Sequence, residues 1–223
     1  MPTVYLKSDP FRLDTVRLEL QGDHGLSPCL YLSKVMSSRY ILFLNNLSST
    51  PKDALWLKTR AGKIASLHGI TVRDARVSRS HIEYDVSLPS DGITANLDHL
   101  FQEIGSYAGS YQVVEKKKEK QEAISEALTF FNEEKYWIAH EILESIWKQS
   151  KGTEKDLIGG IILVCAALVH YQKDEENVCI SILERAFTKL KDAGGLYNRI
   201  DIDRLKKIIR NILMESKVKL FRI

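Results

Sequence analysis

The chain is short of the residues that would commit it to a class at first sight. Only three of its 223 residues are cysteine. Cys29, Cys165 and Cys179 are an odd number with no CxxC spacing, which argues against a disulfide framework or a zinc knuckle and fits a reducing compartment. Long hydrophobic runs are missing too. The longest, Leu157 to Val169, is too short to span a bilayer and reads as a buried core helix. Met1-Pro-Thr-Val-Tyr-Leu-Lys7 has no basic stretch leading into an apolar one, so no signal peptide is expected. A cytoplasmic protein without a membrane association is the expectation. Net charge is scarce as well, at +3, too little to argue for nucleic acid by itself.

What is present is an ordinary globular balance, 44% hydrophobic and 27% charged, which excludes a disordered chain. The charge is uneven. Residues 1–115 carry 12 Lys/Arg and 12 Asp/Glu, so the surplus lies wholly in residues 116–223. Val4-Tyr-Leu6 and Val16 to Gln21 alternate like strands, with a turn signal at Gly22-Asp-His-Gly25. Tyr40 to Asn45 is a dense apolar run of strand length. Thr50-Pro51-Lys52-Asp53 then combines an N-cap, a proline in the first turn and a capping-box acid, opening a helix that ends near His68-Gly69. Ile70–Val77 and His81–Leu88 read as strands. In the second, Ile82, Tyr84, Val86 and Leu88 share one face, with Glu83, Asp85 and Ser87 on the other. Pro89 to Gly92 is a loop, Leu97, Leu100, Phe101 and Ile104 form a helical stripe, and Ser110–Val114 closes with a strand.

That order, β-α-β-β-α-β from residue 39, predicts a ferredoxin-like domain over residues 1–115 that includes extra N-terminal strands. His68, His81 and His99 lie in different elements without metal-ligand spacing and are expected to be exposed or half-buried. Arg73, Arg76 and Arg79, with Lys58, Arg60 and Lys63, are interleaved with acids and read as a solvated surface. The aromatic platform of a sheet that binds single-stranded RNA is absent.

Residues 116–223 predict an all-α helical bundle, so the fold class is α+β. Lys116 to Lys120 marks the boundary. Five helices follow: one with the stripe Ile124, Leu128, Phe131; one through His140; an apolar rod from Ile158 to Val169 opened by a capping box at Thr153–Asp156; one capped by Asp174; and one opened by Asp201. Ala139–Ile146 and Cys179–Ala186 echo one another 40 residues apart, in the manner of repeated helix hairpins.

The candidate site lies in Ala127–Trp147. Tyr136 opens the helix after a short polar break. Trp137, His140, Glu144 and Trp147 recur at spacings of 3, 4 and 3 and so share a stripe, with Glu141 beside it. Indole rings flanking a His140–Glu144 pair would restrict water and strengthen its electrostatics.

Phe131-Asn132, Tyr136, Ala139-His140-Glu141, Leu143-Glu144 and Trp147, followed by Gly160-Ile-Ile and His170, resemble domain-of-unknown-function family 309 over about residues 120–190. The resemblance implies a small helical domain with a central helix wrapped by others, and brings no established activity. The chain departs from the family pattern in three places. Leu163 replaces a glutamine, Asp174-Glu175 a Gly-Asn turn, and Val178-Cys179 a Gly-Ala pair.

Several functional readings follow. A binding or scaffold protein would use a pocket lined by Trp137, His140, Glu144 and Trp147, with a protein partner or a second copy of the chain. A metal-dependent hydrolase would hold a divalent ion through His140, Glu144 and His170, although HExxH and ExxH pairs are lacking. A nucleic-acid-binding protein would use residues 199–223, where eight Lys/Arg face three Asp/Glu. Against all three stands a plain structural reading. It makes His140 a buried histidine satisfied by Glu144 and a backbone carbonyl, and the tryptophans core anchors.

Overall fold

Side chains along an extended strand alternate between two faces, and here both faces are buried. The computed structural model describes residues 37–89, 104–114 and 118–223. The strands expected before residue 37, the 90–92 loop and most of the 97–104 helical stripe lie outside them. Strands β1 (Ser37–Asn45), β2 (Thr71–Val77), β3 (His81–Pro89) and β4 (Tyr107–Gln112) form a sheet in the order β2-β3-β1-β4, every neighbour antiparallel. β1 and β2 run parallel with β3 slotted between them, as the split pattern requires. Helix α1 (Ala54–Ser66) is the crossover. It is entered through a 3-10 turn at Pro51–Asp53, where the Asp53 carboxylate accepts the Thr50 N–H at 2.7 Å. Gly69, at φ 69°, makes the left-handed turn that ends it. Leu42, Leu44, Val77, Tyr84 and Val86 pack against Leu57 and Ala61 of α1 as one apolar core.

The opposite face of the sheet is polar in sequence, yet Arg76 is 1% exposed and Glu83 0%. Two expectations are corrected here: Arg76 is not part of a solvated surface, and His81 is fully buried rather than half-exposed. The cause is the helical half, which packs on this face. Glu83 accepts Arg76 Nε at 2.7 Å and lies 3.3 Å from His81 Nε2, whose other ring nitrogen meets Ser78 Oγ at 2.9 Å. Asp85 is gripped by both arms of the Arg39 fork, at 2.9 and 2.5 Å. Paired in this way, the charges can be taken out of water. Sheet and helices lie together in one compact unit, Val35–Ile223.

The helices are α2 (Lys120–Asn132), α3 (Tyr136–Gln149), α4 (Gly152–Tyr171), α5 (Glu176–Lys189) and α6 (Ile202–Glu215). Each packs on the next in the chain. In α4 every residue from Ile158 to Val169 is buried, as an apolar rod requires. A Cβ at Gly160 would stand 2.6 Å from Leu190, so glycine there lets α4 pass close beside the end of α5. Asp201 accepts the Arg204 N–H and caps α6 as expected. Other local details differ. The residue before α4 is Lys151, and Asp156 pairs with Lys189 at 2.8 Å instead of closing a box with Thr153. Asp174 is not the cap of α5. It sits at φ 64° one residue earlier, and a short hairpin, β5 (Leu196–Tyr197) and β6 (Ile200–Asp201), separates α5 from α6.

The 40-residue echo extends to the backbone. Glu134 (φ 63°) and Asp174 (φ 64°) occupy the same left-handed position of two equivalent turns, α2–α3 and α4–α5. Both turns are closed alike. Glu134 N–H donates to Phe131 and Lys135 N–H to Phe130, while Asp174 N–H donates to Tyr171 and Glu175 N–H to His170. Asn132 beside the first turn exchanges two 2.9 Å hydrogen bonds with the backbone of Ile223, and Phe221 stacks 5.8 Å from Phe131. The Phe-Asn pair of the motif therefore anchors the last residues of the chain.

Removing Glu83 tests the buried pair. Burial alone would raise its carboxyl, but the Arg76 charge and the His81 and Arg76 hydrogen bonds hold it below its ordinary 4.5. Its contribution is therefore complete above that value and fades as pH falls through the lower folded-state value. Glu83→Gln is expected to cost about 3 kcal/mol in urea unfolding at neutral pH, because Arg76 loses its close partner and keeps only the 3.6 Å contact with Asp74. The variant should also show a shallower loss of stability in acid than the parent. An unchanged midpoint would show that the pair carries no stability.

Candidate functional site

Helix α3 places the predicted residues because its apolar positions leave it no other orientation. Ile138, Ala139, Ile142, Leu143 and Ile146 are all buried, which turns the neighbouring stripe toward the sheet. Trp137 is 4% exposed, and both buried-face arginines lie over its indole, Arg39 at 4.5 Å and Arg76 at 5.5 Å from the ring centre. The two cations pair with acids on the sheet while they stand over the ring, so one side chain of α3 is tied to two strands. Around it the backbone carbonyl of Gln172 accepts the Val77 N–H at 3.0 Å, Gln172 Nε2 donates to the Glu134 carbonyl at 2.7 Å, and Arg79 pairs with Glu134. Trp137 is the centre of the seam.

One turn on, His140 is 2% exposed and its Nδ1 has no hydrogen-bond partner among the described residues. The plain structural reading needed Glu144 to satisfy this ring, and that bond is not formed. Glu144 instead holds Lys148 at 3.2 Å, and the carboxylate nearest the imidazole is Glu141, 3.5 Å from Nδ1. One atom each of His140, Glu141 and Glu144 lies within 4.8 Å of the others, so the three side chains converge although both glutamates are half-exposed. Glu141 is also sensed from the sheet. Burial disfavours the charge of Arg39, but the Asp85 hydrogen bond and charge, then the charges of Glu141 and Asp74, more than offset it and raise its pKa. The cluster therefore sits where α3 meets the sheet.

The remaining predicted residues go elsewhere. His170, expected as a third ligand, is bonded through Nδ1 to Glu175 and is not in the cluster. Trp147 packs toward α4, where Lys155 stands 4.3 Å over its ring and Gly159 faces its indole nitrogen. Tyr136 is fully buried 5.0 Å from Phe131, and burial pushes its hydroxyl pKa upward. Cys165 and Cys179 are buried thiols, the latter pushed up to about 12, so neither is a thiolate nucleophile at neutral pH.

A groove of about 1060 Å³ lies at the start of α4 and the end of α5, lined by none of the seven predicted residues. Several of its charges are paired: Asp156 with Lys189, Lys191 with Asp192, and Glu154 with Lys120 outside the groove. On α6 the outward cations are partly engaged as well, with Lys206 donating to the Ala193 carbonyl and Arg210 stacked 5.4 Å from Phe187. Sequence reasoning missed Arg39, Arg76, Glu83 and Asp85 as parts of the seam. Their alternating signs on facing strands were a signal, but one that exposed strands also show.

Residues 124–181 match the model of a domain of unknown function, DUF309, within the helical part. A conserved hypothetical protein from Thermus thermophilus, TTHA0068, is 27% identical over 40% of this chain and 94% of its own, with a TM-score of 0.36. No curated protein matches the chain.

Trp137→Leu keeps the bulk apolar but removes both cation–ring contacts. It should cost about 2–3 kcal/mol in chemical denaturation, from roughly 1–2 kcal/mol per desolvated contact less what the leucine recovers. A loss below about 0.5 kcal/mol would show that the ring only fills space.

Proposed function

We propose, for a chain whose helical part carries that domain of unknown function, a binding protein with its ligand site on α3 at the seam with the sheet. Glu141 and Glu144 form the mouth and the imidazole of His140 the floor. The ligand presents positive charge, since two carboxylates and a ring nitrogen lone pair converge on one small volume. The observation that carries this reading is the buried Nδ1 of His140 without a partner. A buried polar atom left unsatisfied costs about 1–3 kcal/mol, and folds keep such costs mainly where a ligand repays them. The seam acts as the scaffold: Trp137, one turn away, is fixed by two strands, so the floor of the site does not drift. The first metal-hydrolase expectation relied on His170, which the pairing with Glu175 diverts.

The test needs no knowledge of the ligand. If His140 is a ligand group and not a structural one, His140→Leu should stabilise the unliganded protein by about 1 kcal/mol, by relieving the orphaned nitrogen. Urea unfolding of both proteins in chelator-treated buffer measures it. A loss of 2 kcal/mol or more would make the imidazole a structural member of the core and end the binding reading.

A further inference from the structure

Helix α1 covers the face of the sheet opposite the seam, and it has an outer side of its own. Ala54, Leu57, Ala61 and Ala65 turn its inner side into the apolar core. Trp56, Arg60, Lys63 and Leu67 recur at spacings of 4, 3 and 4 on the other side, with Leu55 beside them. Leu55 is 75% exposed, Leu67 82% and Trp56 57%. A single exposed leucine is ordinary, but three large apolar side chains set among cations on one helix face mark an interaction surface. The charge there has one sign. Residues 54–73 hold four Lys/Arg and no Asp/Glu, and among the described helices α1 alone carries cations without an acid.

We propose that this outer face of α1 docks on an anionic lipid surface. Leucine and tryptophan enter the boundary between headgroups and acyl chains, while lysine keeps its ammonium among the lipid phosphates and lays its stem along the apolar layer. Arg60 stands 5.3 Å over the Trp56 ring, which brings a cation to the depth where an indole rests. Lys52 and Lys63 are exposed and have no ion-pair partner among the described residues, so both charges can face phosphate. Single-stranded nucleic acid fits the face less well, because its bases need several aromatic platforms and here one indole stands among leucines. Among the described residues no helix is long and apolar enough to cross a membrane, so the contact is a surface one.

Sedimentation of the full chain with vesicles tests the proposal. At about 0.05 M salt the protein should pellet with vesicles of phosphatidylglycerol and phosphatidylcholine in equal parts, and stay in solution with phosphatidylcholine alone. Salt at about 0.5 M should release most of it. Tryptophan emission should move to shorter wavelength on binding, and the shift should vanish in Trp56→Phe. Partitioning should fall at least about tenfold in Lys63→Glu and in Leu55→Ser combined with Leu67→Ser, yet hold in Lys207→Glu on the basic α6. Every substituted position is exposed, and circular dichroism confirms that the variants are folded. A parent that ignores anionic vesicles, or binds neutral ones as well, overturns the proposal. So does a loss in Lys207→Glu with the leucine variant unchanged, which would make the attraction one of net charge. A single-stranded oligonucleotide held through Lys63, with no vesicle binding, would give the face to nucleic acid and overturn it too.

Discussion

Two layers that meet through charged side chains must neutralise those charges between themselves, and the Arg76–Glu83 pair is where this protein does so. Glu83 is wholly shielded from water and still ionised, because the guanidinium of Arg76 and the ring of His81 stand against it. Arg39 and Asp85 repeat the arrangement beside it. Both guanidinium groups, paired with carboxylates, also stand over the indole of Trp137. An apolar seam of the same area would hold the layers as firmly, since a buried pair only roughly offsets its own desolvation. The pairs add register instead: strand β3 and helix α3 dock where Glu83 and Asp85 each meet a guanidinium, although one Arg76 nitrogen stays without a hydrogen-bond partner among the described residues.

The helical half shows how one hairpin can be used twice. The turns at Glu134 and Asp174 are closed by the same bonds, and the helices that follow them have the same length and offset. Their faces then diverge. At positions where α3 has Trp137, His140 and Trp147, α5 has Asn177, Ile180 and Phe187. The first copy turns Trp137 to the sheet, while the second packs between α4 and α6. Only the copy that meets the sheet carries the convergent histidine and carboxylates.

That placement links architecture to chemistry. A histidine on an isolated helix would hydrate its free nitrogen. On α3 the neighbouring seam excludes water from Nδ1, while Glu141 and Glu144 stay half-exposed above it. The result is a buried ring nitrogen with no hydrogen-bond partner among the described residues, beneath two half-exposed carboxylates.

Local pattern alone was enough for much of this. Period-two alternation in β3, the proline turn before α1, the apolar rod of α4 and the cap at Asp201 are dictated by neighbours within a few residues, so the sequence by itself determined most of the described elements and the α+β class, though not the β5–β6 hairpin. It also located the stretch around His140, because helical spacing is a local property. What only the tertiary structure decided is which surfaces meet. Glu83, Asp85 and Arg76 look like any solvated strand face until a helix covers them. His170 finds Glu175 rather than His140, and Glu141 rather than Glu144 comes nearest the imidazole. Burial of the strand face depends on residues roughly 40 to 100 positions away, and no window of sequence contains them.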